Sequence, residues 1–163
     1  MKVIDVAIEL EEMGKHYFER LANETTLAGI KGVFEFLADE QEELYDVFQA
    51  MKRGASSHCN ADSQALDQAR GHFARIFAED GGALGLLKDD LQAYAFALAI
   101  ENRIVSFFED LAMHERDAES RALLQEIVAE ERRHRETVAG VYNFVAAPKW
   151  QLCSAEFSNL REN

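Results

Sequence analysis

The 163-residue chain repeats itself. Displacing its first half by 90 residues, without a gap, sets Ala7 on Ala97, Glu11 on Glu101, Phe18 on Phe108, Glu19 on Glu109, Leu21 on Leu111 and Ala22 on Ala112. The same displacement sets Phe34 on Leu124, Leu37 on Ile127 and Glu40 on Glu130. Apolar residues meet apolar residues and carboxylates meet carboxylates across two segments and the turn between them. The halves therefore read as related helix pairs from an ancestral duplication, and the fold has to accommodate two copies of one unit.

Helical periodicity fills in each copy. The first helix runs from Lys2 to about Ala22, with Ala7, Glu11, Gly14, Phe18 and Leu21 on one stripe. Asn23-Glu24-Thr25-Thr26 supplies a turn and cap, and the second helix follows from about Ala28 to Lys52, with Val33, Phe34, Leu37, Gln41, Leu44 and Phe48 inward. In the second copy one helix spans about Leu86 to His114, with Leu91, Ala95, Leu98, Glu101, Val105, Phe108 and Leu111 inward. The next runs from Ala118 to about Val145, with Leu124, Ile127, Glu131, His134, Val138 and Val141 inward. Between the copies lie a polar connector from Ala55 to Asp67, a short amphipathic helix from Ala69 to Glu79, and a break at Gly81-Gly82. One proline and an excess of Ala, Leu, Glu and aromatics point to an all-α chain. Short turns within each pair and a long crossover between them are the topology of a ferritin-like four-helix bundle. The expected organisation is a bundle over 1–147 and a tail over 148–163, which Trp150 and Phe157 pin to the bundle or to a second subunit.

Polar residues on these stripes carry the chemistry. Glu131 and His134 stand three apart on a face that should be buried, and burying both without a partner is costly. A Glu-x-x-His pair facing a bundle interior is half of a carboxylate-bridged metal site. Glu11 and Glu101 face the same interior, where three carboxylates repel unless a cation or protons intervene. Two other readings stay open: mutual hydrogen bonding of a buried polar pair, and protonation that keeps the cluster neutral. The repeat adds a test, because a symmetric site needs Glu at position 41 and His at position 44. The residues there are Gln41 and Leu44. Gln binds hard cations weakly and Leu not at all, so one half of such a site is disabled. Glu40 and Glu43 would replace the pair only if a π-bulge turned them inward. Gln41 is placed to hydrogen-bond the carboxylates, and Leu44 to fill core.

Several motifs together resemble the rubrerythrin-like branch of the ferritin-like superfamily, in its short form without a rubredoxin domain. They are Ala7-Ile8-Glu9-Leu10-Glu11-Glu12-Met13-Gly14-Lys15-His16-Tyr17-Phe18, Leu37-Ala38-Asp39-Glu40-Gln41-Glu42-Glu43, Ala97-Leu98-Ala99-Ile100-Glu101 and Glu130-Glu131-Arg132-Arg133-His134. The resemblance implies a two-iron centre and peroxide or dioxygen chemistry. Residue by residue it assigns Glu11, Glu101, Glu131 and His134 as metal ligands, while Gln41 and Leu44 depart from the pattern. The expectation is a metal-binding protein with one or a partly filled carboxylate/histidine site, for iron or for zinc or manganese, with oxidoreductase activity. The alternative is a metal-free bundle that serves as a structural or interaction module.

Other features narrow the partners. A formal charge of −13 argues against nucleic acid and anionic membranes, which need clustered Lys and Arg. Cys59 and Cys153 form no CxxC pair, so they read as free thiols, and any electron donor is a separate protein. The N-terminus is charged within a few residues and resembles neither a signal peptide nor a membrane span. A cytoplasmic homodimer is expected. His16, His58, His72 and His114 read as surface residues, and Tyr17, Tyr94 and Tyr142 as packing.

Overall fold

The computed structural model describes residues 2–54, 63–78 and 84–159. Among them, five α-helices and one 3₁₀ turn form in the order α1 (Val3–Glu24), α2 (Ala28–Gly54), α3 (Ser63–Ala78), the turn Leu84–Leu86, α4 (Asp90–His114) and α5 (Ala118–Asn159). No strand occurs among the described residues. Helices α1 and α2 pack as one pair and α4 and α5 as another, and α3 lies against α1. This is the all-α, ferritin-like four-helix bundle that the repeat requires.

Both hairpin turns are built alike. The Thr25 N–H donates to the Leu21 carbonyl at 3.1 Å, and 90 residues on the Glu115 N–H donates to the Leu111 carbonyl at 3.0 Å. The following helices open with Lys31 N–H to the Leu27 carbonyl and Arg121 N–H to the Asp117 carbonyl, both at 2.9 Å. Side-chain acceptors repeat as well, Thr25 Oγ1 taking the Leu27 N–H at 3.3 Å and Glu115 Oε1 the Asp117 N–H at 2.9 Å, and in the second copy Asp117 Oδ2 also accepts from the Ser120 N–H at 2.8 Å.

Burial follows the same register. Val3, Ala7, Leu10, Glu11, Gly14, Phe18 and Ala22 are buried in α1, and Ala93, Ala97, Ile100, Glu101, Ile104, Phe108 and Ala112 are buried in α4. Val33, Phe34, Leu37, Ala38, Gln41, Leu44 and Phe48 of α2 correspond to the buried Leu123, Leu124, Ile127, Val128, Glu131, His134 and Val138 of α5. The Phe18 and Phe34 rings stack at 6.0 Å, which joins α1 to α2. Phe73 of α3 meets the edge of Phe107 at 5.5 Å, so the crossover helix also seals α4. Burying each such ring contributes roughly 1.5–3 kcal/mol.

Polar contacts fix α3 at the outside of α1. Arg70 pairs with Glu9 at 2.8 Å, and Arg20 donates to the Phe77 carbonyl at 3.0 Å. Lys52 and Asp5 tie α2 to α1 at 2.9 Å. These pairs are partly exposed, so each contributes little beyond orientation.

The structure departs from the periodicity in four places. The buried line of α4 is rotated, with Ala93, Ala97 and Ile104 inside and Ala95 exposed, while Leu91, Leu98 and Leu111 sit on its margin. Small side chains at Ala93 and Ala97 occupy the centre of the contact, and the bulkier leucines flank it. Helix α4 starts at Asp90 rather than Leu86, because Asp89 caps it by accepting from the Gln92 N–H at 2.9 Å. Helix α3 begins at Ser63, earlier than its apolar stripe indicates. Helix α5 continues past Val145 and through Pro148 to Asn159. Pro148 removes the N–H that would bond the Phe144 carbonyl, but both residues lie on an exposed face where water replaces that bond. The connector with His58 and Cys59, the Gly81-Gly82 break, and the side chains of Trp150, Cys153 and Phe157 lie outside the described residues. Among the described residues no helix is long and apolar enough to cross a membrane.

Candidate metal centre

Each bundle helix delivers one polar side chain to the interior at matching depth. Glu11 comes from α1, Gln41 from α2, Glu101 from α4 and Glu131 from α5, with His134 one turn further along α5. Glu11, Glu101 and Glu131 are 0% exposed, Gln41 is 1% exposed and His134 is 6% exposed. Spacing of three and four residues from the apolar positions on each stripe forces this convergence, so these polar groups sit inside because the hydrophobic pattern carries them there.

One ligand-type atom from each of Glu101, Glu131 and His134 lies within 4.8 Å of the others. His134 Nδ1 approaches Glu101 Oε2 at 3.1 Å. Gln41 Nε2 donates to the other oxygen, Glu101 Oε1, at 3.1 Å. Glu11 and Glu131 lie close enough to shift each other's protonation, in the sense that favours a protonated Glu11 donating to Glu131. All four residues singled out from the sequence thus meet, and Gln41 joins them.

Electrostatics explains how the cluster survives burial. Desolvation, and then the charges of Glu131 and Glu101, push the Glu11 carboxyl well above the ordinary carboxylate range. Desolvation and Glu101 raise Glu131 to about 8, against the opposing pull of His134. Burial alone would lower His134, but Glu101, Glu131 and Glu40 outweigh it and carry the imidazole up to about 9. These shifts favour a cluster that keeps its protons near neutral pH, on both the Glu11 and Glu131 carboxyls and on a His134 that faces Glu101.

The unprotonated cluster exposes a deficit. Both oxygens of Glu11 and of Glu131, Glu101 Oε2 and the imidazole nitrogens of His134 are buried without a hydrogen-bond partner. The Glu11 to Glu131 hydrogen bond exists only while Glu11 keeps its proton, and the 3.1 Å approach of His134 to Glu101 is an ion-pair distance. Buried acceptors without donors are costly. A divalent cation removes the deficit, and a donor set of carboxylate oxygens with one imidazole suits iron, manganese or zinc.

The corresponding place in the first copy is closed. Leu44 is buried core, 6% exposed, where the repeat would put a second histidine. Helix α2 is uninterrupted α-helix through this region, so no π-bulge turns its acids inward. Glu43 is exposed, and Glu40 stays half-buried at the rim, its carboxyl raised by desolvation and lowered by His134.

Gly14 went unnoticed as a site residue. A Cβ there would lie 2.5 Å from Gln41 Oε1 and 3.1 Å from its Cδ, so the glycine makes the space the amide occupies. The available signal was a mismatch in the repeat, Gly14 against Ile104, where Gln41 stands against Glu131. The histidines read as surface residues behave so where described: His16 and His114 are exposed and contact the carbonyls of Glu12 and Asp110 one turn back, at 2.7 and 2.8 Å.

The family model described as Rubrerythrin covers residues 2–142, which includes every residue of this cluster. No curated protein and no solved structure matches the chain.

Proposed function

The chain belongs to the rubrerythrin family, and on that premise we propose that it binds one divalent cation, iron first, among Glu101, Glu131 and His134. Glu11 completes the set or accepts a hydrogen bond from a bound water. Zinc and manganese suit the same donors. One observation carries this reading: ligand-type atoms of three buried residues lie within 4.8 Å of one another, and carboxylate oxygens among them lack any donor.

Bound iron supplies one-electron redox chemistry towards peroxide or dioxygen, the activity implied by the family. The chain's own groups set the conditions for it. Gln41 holds Glu101 Oε1, which leaves Oε2 directed at the imidazole. Glu11 stores a proton at its carboxyl and can release it inside the site. Leu44 keeps the first copy from offering a matching nitrogen. Electrons would reach the site from a donor outside these 163 residues, which contain no CxxC pair. The same reading takes the protein as a cytoplasmic homodimer, with 148–163 as a tail beyond the bundle.

Metal analysis of protein from iron-supplemented cells tests the proposal. About one atom per chain is expected, falling sharply in Glu131→Ala. Content far below that, with no change in the variant, would sink it. A second reading, a metal-free structural or interaction module, is favoured by one feature: the Gln41–Glu101, His134–Glu101 and Glu11–Glu131 contacts close the cluster without an ion. Ferrous ion at a hundredfold excess over its Kd stabilises a binding fold by about 2.7 kcal/mol. An unchanged melting temperature would leave the module reading standing instead.

A further inference from the structure

A cavity of about 220 Å³ separates α1 from α2 and is lined by Glu11, Glu12, Lys15, His16, Glu42 and Tyr45. Its two ends differ. Glu12, His16 and Glu42 are exposed, so one end reaches solvent, whereas Glu11 is fully buried. Glu11 belongs to the candidate metal cluster as well, buried in the same interior as Glu101 and Glu131 and feeling the charges of both. The cavity therefore reaches from the surface to Glu11, whose two buried carboxyl oxygens have no hydrogen-bond partner.

We infer that this cavity is the port through which a divalent cation enters the cluster, with Glu12 and Glu42 attracting it, the Lys15–Glu42 ion pair closing the mouth, and Glu11 handing it inward. The inference rests on the metal-binding reading above and adds a route and its residues.

Three observations support it. The first is size: one water needs only about 10–15 Å³ of such space, so the cavity has room for a cation with part of its water shell. The second is chemistry. His16 Nδ1 lies 2.7 Å from the Glu12 carbonyl, which makes Nδ1 the protonated nitrogen and leaves the Nε2 lone pair free in the neutral ring. Lys15 Nζ holds Glu42 Oε1 at 2.9 Å and lies 3.9 Å from Glu19, so a cation arriving at Glu42 competes with an ammonium that has a second carboxylate to turn to.

The third is the repeat. Ninety residues on, Glu12 becomes Asn102, Lys15 becomes Val105, His16 becomes Ser106, Glu42 becomes Arg132 and Tyr45 becomes Arg135. Val105 is only 2% exposed and plugs the place of the lysine, and Arg132 is held by Glu109 at 2.6 Å. The α4–α5 face does carry a cavity of about 520 Å³, but its lining of Glu109, Ala112, Met113, Arg121, Gln125, Val128 and Arg132 includes none of the cluster residues, and at the positions matching the port the acids and the lysine give way to Asn102, Val105, Arg132 and Arg135. A cation therefore meets carboxylates at the α1–α2 port and guanidinium groups at the matching place on α5.

Stopped-flow uptake of Co²⁺ by the full metal-free chain, followed by visible absorption, tests this. Glu12→Gln with Glu42→Gln should slow uptake about tenfold at low salt, with the difference shrinking as salt rises. Cobalt bound per chain at saturation should stay the same, because neither residue is a ligand. Lys15→Met should speed both uptake and release, the opposite sign, which poor folding would not produce. Glu126→Gln with Glu136→Gln, an equal charge change on exposed residues of α5, should leave the rate unaltered. Wild-type rates in both port variants, or equal slowing by the α5 control, would overturn the port while leaving the metal site intact. Failure of the wild-type protein to take up cobalt at all would overturn the metal-binding reading, and the port with it.

Discussion

Gly14 shows how a single missing methyl shapes the centre. In a helix interior, glycine costs roughly 0.5–1 kcal/mol relative to alanine, so Gly14→Ala would ordinarily stabilise α1. Here the new Cβ would meet Gln41 Oε1 at 2.5 Å and displace the amide from Glu101. The expected result is a net loss of about 1–3 kcal/mol in urea denaturation. In a Gln41→Ala background the same change should become neutral or stabilising, and simple additivity of the two substitutions would show that the contact does not matter. Protons give a second prediction at this scale. Glu131 is raised from 4.5 to about 8 and His134 from 6.5 to about 9, so each binds its proton more tightly in the folded chain. The stability they contribute is fully present below the unfolded values and drains as pH rises through the folded ones. The melting temperature of metal-free protein should fall between pH 6.5 and about 9, with a smaller fall in the metal-loaded form, where the ion replaces the protons. A rising melting temperature over that window would mean the protons are not held in this cluster. Stripe positions identified Glu11, Glu101, Glu131 and His134 as interior groups, because burial of polar residues is dictated by their apolar neighbours. Gly14 escaped notice because a side chain's absence leaves no mark on a periodic pattern.

Helix ends are decided by local chemistry that hydrophobic periodicity does not register. The leucines at 84, 86 and 87 extend the apolar run upstream of α4, yet the helix starts only where Asp89 accepts from the Gln92 N–H. Asp89→Ala should cost about 1 kcal/mol, read from the urea midpoint at constant m-value. No loss would mean that the Leu84–Leu86 turn, rather than the cap, sets the start of α4. Towards the other end a proline, ordinarily a sign that a helix has stopped, is carried within α5 because Phe144, whose carbonyl loses its donor, lies with Pro148 on an exposed face. The helix pairs themselves were legible from their stripes, since each buries one face. The rotation of α4 was not, because alanine is apolar enough to fit either side of the boundary, as Ala95 and Ala97 do.

Two copies of one hairpin make the whole molecule, and their differences matter as much as their likeness. Register, turns and burial repeat at an offset of 90 residues, whereas ligand-type chemistry persists mainly in the second copy and the acidic cavity lies in the first. If the proposed metal site is right, Gln41→Glu with Leu44→His should raise bound metal from one ion per chain towards two. An unchanged stoichiometry in a folded double variant would show that position 44 cannot serve as the counterpart of His134. The repeat made the architecture readable from sequence, but the cavity depends on how side chains fill the α1–α2 contact, which no spacing rule reports. One further consequence follows from where the cluster lies. Gln41 reaches Glu101 and Glu11 reaches Glu131, so the polar contacts bridge the seam between two locally closed hairpins. Hairpins with short turns close early in folding, and the seam between them forms late. An ion held there should slow the unfolding arm of the chevron while leaving the refolding arm almost untouched, which makes it a kinetic latch on a chain that can collapse without it.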